Sequence, residues 1–400
     1  MKTTHVHASD VRALARLVTD ATLQLTDLVE GVHAGIVRAP RRQTSGLSGF
    51  VYRTVRGVTR TVGQTADGVL AQVVPLFGAR HSSPAREAML AAVNGVVGDY
   101  LKSTGNALAI PMQFRVQGKP LAPATLPDAS RKLLVLVHGL CMNDLQWRHD
   151  GHNHGTALAH DLGYTPVYLH YSTGQHISDN GRQFAQRVEA LLRQWPVPVD
   201  DLVIVGHSMG GLVTRSACHY GMQQGHEWPA RLRKLVFLGT PHHGAPLERV
   251  GNWLETVLRA TPYAAPFARL GMLRSAGITD LRHGNLLDED WEGRDRFQRG
   301  PDNRVPLPLP EGVACYAVAG RLSRLTGDGL VPLQSALGQH GEASRQLGFP
   351  EEHTWVAEGV GHLNLLGDAA VYERIRDWLA DDKPCDQNDA TTFNARATSS

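Results

Sequence analysis

Leu202-Val203-Ile204-Val205-Gly206-His207-Ser208-Met209-Gly210-Gly211 is the stretch that decides how this chain is read. Leu202 to Val205 is a β-branched, apolar run of the kind that forms a buried strand, and Leu212-Val213-Thr214-Arg215-Ser216-Ala217-Cys218 continues as a helix. Between them stands Ser208, with glycine two residues before and two after. A strand-to-helix turn this tight leaves no room for side chains on its shoulders and strains the serine backbone, which lifts the hydroxyl clear of the sheet. The helix that follows aims its positive N-terminal end at the same spot. The stretch reads as a nucleophile elbow with Ser208 as the nucleophile. The competing reading is an ordinary loop, since Gly-x-Ser-x-Gly is a loose pattern and the chain holds 41 glycines. The strand before it and the helix after it favour the elbow.

Composition sets the frame. With 400 residues, 42% of them hydrophobic and 20% charged, the chain can bury one large core or two unequal ones. A net charge of +2 supplies no global field for nucleic acid. Cys141, Cys218, Cys315 and Cys385 show neither zinc-knuckle nor disulfide spacing, which fits a reducing compartment such as the cytoplasm. The first residues carry no apolar core of a secretion signal, and no apolar run approaches the roughly 18 to 20 residues that cross a bilayer.

Outward from the elbow, short β-rich runs alternate with helical ones. Upstream lie Leu133 to Val137, a helix around Thr156 to Leu162, Pro166 to Leu169 and a helix from Asn180 to Trp195; downstream lie Leu235 to Leu238, Val313 to Ala319, His353 to Ala357 and a closing helix Ala369 to Ala380. Strands separated by helices mean parallel strands joined by right-handed crossovers, hence an α/β fold with a doubly wound, mostly parallel sheet. Met112, Phe114 and Val116 alternate with polar residues before a turn at Gly118 to Pro120, an antiparallel edge hairpin. From about residue 246 to 311 the alternation stops, and an insertion at this edge of the sheet is where a helical cap would sit. Trp253, Leu254, Val257, Tyr263 and Phe267 give that cap an apolar side. Residues 383–400 read as a disordered tail.

Residues 1–107 form a separate helical module. Leu14, Val18, Ala21, Leu25, Leu28 and Val32, then Val51, Val55, Val58, Val62, Ala66, Val69 and Val73, then Met89, Val93, Val96 and Tyr100 each recur at helical spacing. Between Glu30 and Asp67 no acidic residue interrupts Arg38, Arg41, Arg42, Arg53, Arg56 and Arg60. A solvated basic face on a packed helix accounts for this, and valine is a poor lipid anchor. An interfacial helix on anionic lipid, placing the protein at the inner face of the membrane, is the second reading.

Serine is a poor nucleophile until an imidazole takes its proton and a carboxylate orients that imidazole. Asp328, in Thr326-Gly327-Asp328-Gly329-Leu330-Val331-Pro332, and His362, in Gly359-Val360-Gly361-His362-Leu363-Asn364, each follow a late strand. His353 and Asp290 are the fallback base and acid. Oxyanion donors are expected from the amides of Met209 and of Leu140, in His138-Gly139-Leu140-Cys141, with His138 bracing that loop. His149, Asp150, His152 and His154 have the composition of a metal tract, but their spacing fits a polar surface loop better.

The order Ser208, Asp328, His362 is that of an α/β-hydrolase. From about Met112 to Ala380 the chain resembles the bacterial lipase and esterase branch of that superfamily, similar to triacylglycerol lipases and GPI inositol-deacylase-like hydrolases. Leu136-Val137-His138-Gly139-Leu140, Gly206-His207-Ser208-Met209-Gly210-Gly211, Gly239-Thr240-Pro241-His242-His243-Gly244, Asp328-Gly329-Leu330-Val331-Pro332 and Gly361-His362 carry the resemblance. It implies a serine carboxylic-ester hydrolase, without cofactor, acting on lipidic or apolar acyl esters. It also implies that His138, Gly139, His207 and His242 lie beside the substrate. Some such lipases hold a calcium just after the catalytic histidine, where this chain offers Asn364. An acyltransferase using the same triad, and a lipid-binding scaffold on the same fold, are the alternatives.

Overall fold

A computed structural model describes residues 8–36, 46–73, 82–126, 128–246, 275–293, 302–323 and 327–381. The chain divides into two compact units, Met1–Leu90 with Tyr100–Ala109 and Ala91–Asp99 with Ile110–Ser400. The cap aromatics named above and the tail lie outside the described residues.

The first unit holds helices α1 (Ala8–Ile36), α2 (Gly46–Val73) and both ends of α3 (Pro84–Ser103). Ser83 caps α3 by accepting the Arg86 amide, with Pro84 in the first turn where its missing N–H costs nothing. Ion pairs fix α1 and α2 as antiparallel neighbours. Asp67 receives Arg12 Nε at 2.8 Å and Arg16 Nε at 2.5 Å, while at the other end Arg56 Nε reaches Asp27 at 2.6 Å and Arg56 also pairs with Glu30. The apolar periodicity marks a different face from the packed one. Leu14, Val18, Val51, Val55, Val58 and Val62 are exposed, whereas Ala13, Leu17 and Ala34 are buried. Periodicity shows that a helix has a stripe, not what the stripe meets. No described helix is long and apolar enough to cross a membrane.

The second unit is built on eight strands: β1 (Gln113–Val116), β2 (Lys119–Pro120), β3 (Lys132–Val137), β4 (Thr165–His170), β5 (Asp201–His207), β6 (Leu232–Leu238), β7 (Ala314–Arg321) and β8 (Thr354–Glu358). They lie in the order β2-β1-β4-β3-β5-β6-β7-β8. From β4 to β8 every pairing is parallel; β1 runs antiparallel to β4 and turns into β2 through Gln117 (φ 51°) and Gly118 (φ 75°). Two positive φ values in a two-residue loop match the twist of the flanking strands. The period of two sorts β3 between two cores: Leu133, Val135 and Val137 join Phe184, Val188, Leu212 and Val213, and Leu134 and Leu136 join Leu158, Val371 and Ile375 on the other face. Helices α5 (Ile177–Gln194) and α6 (Met209–Gln223) therefore cover one face, and α4 (His154–Leu162) and α9 (Ala369–Ala380) the other. Two short helices, α7 (Ala276–His283) and α8 (Leu333–Ala336), flank β7 in sequence. Helix α7 falls inside the expected cap. Ser275 caps its start and Gly284, at φ 73°, ends it.

Candidate active site

Strand β5 delivers Ser208 to the head of α6 with φ 54° and ψ −125°, a backbone region that L-residues avoid. The glycines around it permit the turn by absence. A Cβ on Gly206 would sit 2.7 Å from the Gly211 backbone, and one on Gly210 would sit 2.2 Å from the Val137 carbonyl. Ser208 donates its amide to Leu238 O at 2.8 Å, tying the elbow to the end of β6.

At the end of β6 the other groups converge. A Cβ on Gly239 would lie 3.0 Å from Asp328 Oδ2 and 3.1 Å from His362 Nδ1. His362 Nδ1 donates to Asp328 Oδ2 at 2.7 Å, and the His362 amide donates to Asp328 O at 3.0 Å. His362 Nε2 is buried and bonded to nothing among the described residues. Burial pushes the Asp328 carboxyl up, but the His362 charge, the His362 hydrogen bond and the Val331 and Leu330 amides outweigh it and hold it below the usual carboxylate range. The carboxylate thus stays charged and keeps the imidazole in one tautomer.

His207 Nε2 donates to His362 O at 3.0 Å, so the residue beside Ser208 holds the backbone of His362. His154 Nε2 donates to Leu365 O at 2.9 Å and anchors the same loop from beneath. Neither tether is visible in the sequence, where His154 belongs to the polar surface tract. The structure corrects that placement, since His154 is buried and His152 Nε2 lies 2.9 Å from its Nδ1. Burial drives His207 down to about 3 and His154 to about 4, so both are neutral donors. Among the described residues no three His, Cys, Asp or Glu side chains gather as a metal site.

The loop after β3 closes the other side. A Cβ on Gly139 would fall 2.9 Å from Ser208 Cβ, so this loop lies directly against the serine. The amide of Cys141 donates to Thr173 Oγ1 at 3.1 Å and that of Met142 to Gly139 O at 3.3 Å. The Leu140 amide, which precedes both, has no partner among the described residues. Met209, as the first residue of α6, has no carbonyl one turn behind it to bond. These are the two amides expected as oxyanion donors.

His138 and His242 are buried and have partners within the protein. His138 is wholly buried, stacks on Tyr171 with ring centroids 4.5 Å apart, and donates Nδ1 to its neighbour Gly139 O at 3.0 Å. His242 is buried with Nδ1 3.4 Å from Arg215 Nη1. The fallback groups have partners of their own. Asp290 accepts the amides of Leu286, Leu287 and Val305, and the His353 ring lies tilted against Tyr316 with centroids 4.3 Å apart.

Sheet order, elbow and the sequence of acid and base along the chain point one way. The fold is that of the α/β-hydrolases. Comparison with known proteins adds what this hydrolase fold is similar to. Residues 111–282 match a family described as a domain of unknown function, DUF7379. No curated protein matches the sequence. Among solved structures, the Bacillus licheniformis lipase BlEst2 is 17% identical with a TM-score of 0.42, covering 67% of this chain and 98% of its own. The Pyrococcus furiosus esterase PF2001 is 14% identical with a TM-score of 0.39, covering 63% and 82%. The type II thioesterase YbtT of a yersiniabactin pathway is 16% identical with a TM-score of 0.35, covering 65% and 94%.

Proposed function

We propose that this hydrolase fold cleaves carboxylic esters with an apolar acyl part through an acyl-enzyme on Ser208. The observation that carries the reading is the 2.7 Å bond between His362 Nδ1 and a charged, buried Asp328, which leaves His362 Nε2 uncommitted beside the elbow. Nε2 takes the proton of the Ser208 hydroxyl as Oγ attacks the ester carbonyl. Asp328 stabilises the imidazolium that forms, and the Leu140 and Met209 amides receive the oxyanion. His362 then gives the proton to the leaving alcohol, and water, activated by the same nitrogen, frees the acid. The apolar acyl part is what the resemblance of residues 206–211 and 239–244 to lipases and esterases implies. A fluorophosphonate probe tests the reading. Wild type is labelled and hydrolyses p-nitrophenyl esters, and Ser208→Ala does neither; equal labelling of the two proteins removes Ser208 from its role.

A further inference from the structure

The middle of α3 belongs to the sheet unit, although the sequence places it in the N-terminal module. From Ala91 to Gly98 every residue is buried. A Cβ on Gly95 would lie 2.1 Å from Cys141 Sγ and 3.1 Å from Cys141 Cα, and the Cys141 thiol points at Ala92 O, 3.8 Å away. One turn on, a Cβ on Gly98 would meet Ser172 Oγ at 2.3 Å, and a Cβ on Gly174 would meet Asn94 O at 2.1 Å. Glycine on both sides thus brings the helix backbone against two loops, the one after β3 and the one after β4.

The helix cannot easily give way. Asn94 Oδ1 accepts the Ile110 amide at 2.9 Å, Gly95 O accepts Ser275 Oγ at 2.6 Å, and Asp99 Oδ2 accepts the Ala276 amide at 2.9 Å. Cys141 is gripped between this helix and Thr173 Oγ1, and it holds φ 58°, a value that a residue with a Cβ adopts only when its surroundings impose it. Leu140 is the residue before it. We infer that α3 is the backstop of the oxyanion loop, with Gly95 and Thr173 as positioning residues that fix the Leu140 amide through Cys141. The inference rests on the ester-hydrolase reading for its kinetic consequence, though not for the contact itself. An oxyanion donor acts only if it stands about 2.7 to 3.1 Å from the developing charge, so a displacement of about 1 Å in Cys141 is felt in the transition state and little in the ground state.

The test uses the full chain with a soluble p-nitrophenyl ester. Gly95→Ala lowers kcat about tenfold or more with KM within about twofold of wild type, the pattern of an interaction made only in the transition state. Thr173→Val, nearly isosteric, moves kcat in the same direction. Cys141→Gly suits the positive φ and removes the thiol, and combining it with Gly95→Ala brings kcat back to within about threefold of Cys141→Gly alone. Wild-type kcat in both Gly95→Ala and Thr173→Val overturns the backstop. So does a loss in Gly95→Ala that Cys141→Gly fails to relieve while melting temperatures match. Should Gly95→Ala not fold, Thr173→Val carries the same test. Should wild type neither hydrolyse esters nor take the fluorophosphonate, the function reading fails instead. Amide exchange over residues 138–142 then decides the backstop, which requires faster exchange in Thr173→Val than in wild type.

Discussion

Ser208, held at φ 54° and ψ −125°, carries strain of about 1 to 3 kcal/mol that a glycine would not feel. Ser208→Gly is therefore expected to stabilise the fold by about 1 kcal/mol while abolishing turnover, read from a denaturant midpoint and an ester assay. Asp328→Asn removes the charge that fixes the His362 tautomer; kcat should fall by about 10³ to 10⁴ with little change in melting, and a loss under tenfold would take Asp328 out of its role. Gly210→Ala puts a Cβ 2.2 Å from the Val137 carbonyl, a backbone atom that cannot swing aside, and should cost about 2 to 3 kcal/mol in thermal unfolding. Ser208, Asp328 and His362 are legible in the sequence because each sits in a short local pattern and their order is informative. The tethers are not. His154 meets Leu365 O across 211 residues and His207 meets His362 O across 155, and only the folded sheet brings those carbonyls within reach.

At the scale of elements, the strands follow from composition because a strand buried on both faces is a continuous apolar run, and β3, β4 and β6 fall within a few residues of their predicted positions. The closing helix Ala369–Ala380 matches its expected bounds, with Asp368 capping it by accepting the Val371 amide. Helix α7 was hidden because its neighbours are polar and irregular, and its eight residues show too little periodicity to stand out. Helix α3 is the instructive case. Its spacing is regular, but Val97 breaks helical geometry at φ −136°, ψ 23°, and the residues around that break leave the first unit for the second. Sequence periodicity has no term for which core a helix joins. Deletion through residue 107, where the sequence draws its boundary, should accordingly give insoluble or inactive protein, checked by solubility and probe labelling; an active, well-melting fragment would contradict the place of α3 in the catalytic unit.

At the scale of the molecule, the buried histidines set an acid limit. His138 and His207 are held at about 3 and His154 at about 4 by burial, against 6.5 when exposed. Below pH 6.5 the unfolded chain binds protons that the folded chain refuses, so stability falls as pH falls, by up to about 1.4 kcal/mol per pH unit for each histidine. Asp328, whose pKa is lowered by folding, adds a loss only further down, as pH drops through the carboxylate range. The three histidines together remove about 5 kcal/mol between pH 6.5 and 5, a large part of a domain's margin. Melting temperature should thus drop steeply over that interval, and His207→Gln, which retains a donor for His362 O, should flatten the slope. An unchanged slope would mean that His207 titrates normally. The stripe Val51, Val55, Val58 and Val62 has a consequence of another kind. Water at such a face is easily displaced, and salting-out raises the reward for displacing it. The protein should bind a phenyl resin in ammonium sulfate and elute late, and Val55→Asn with Val58→Asn should elute early with unchanged ester turnover. The stripe belongs to the first unit and the candidate elbow to the second.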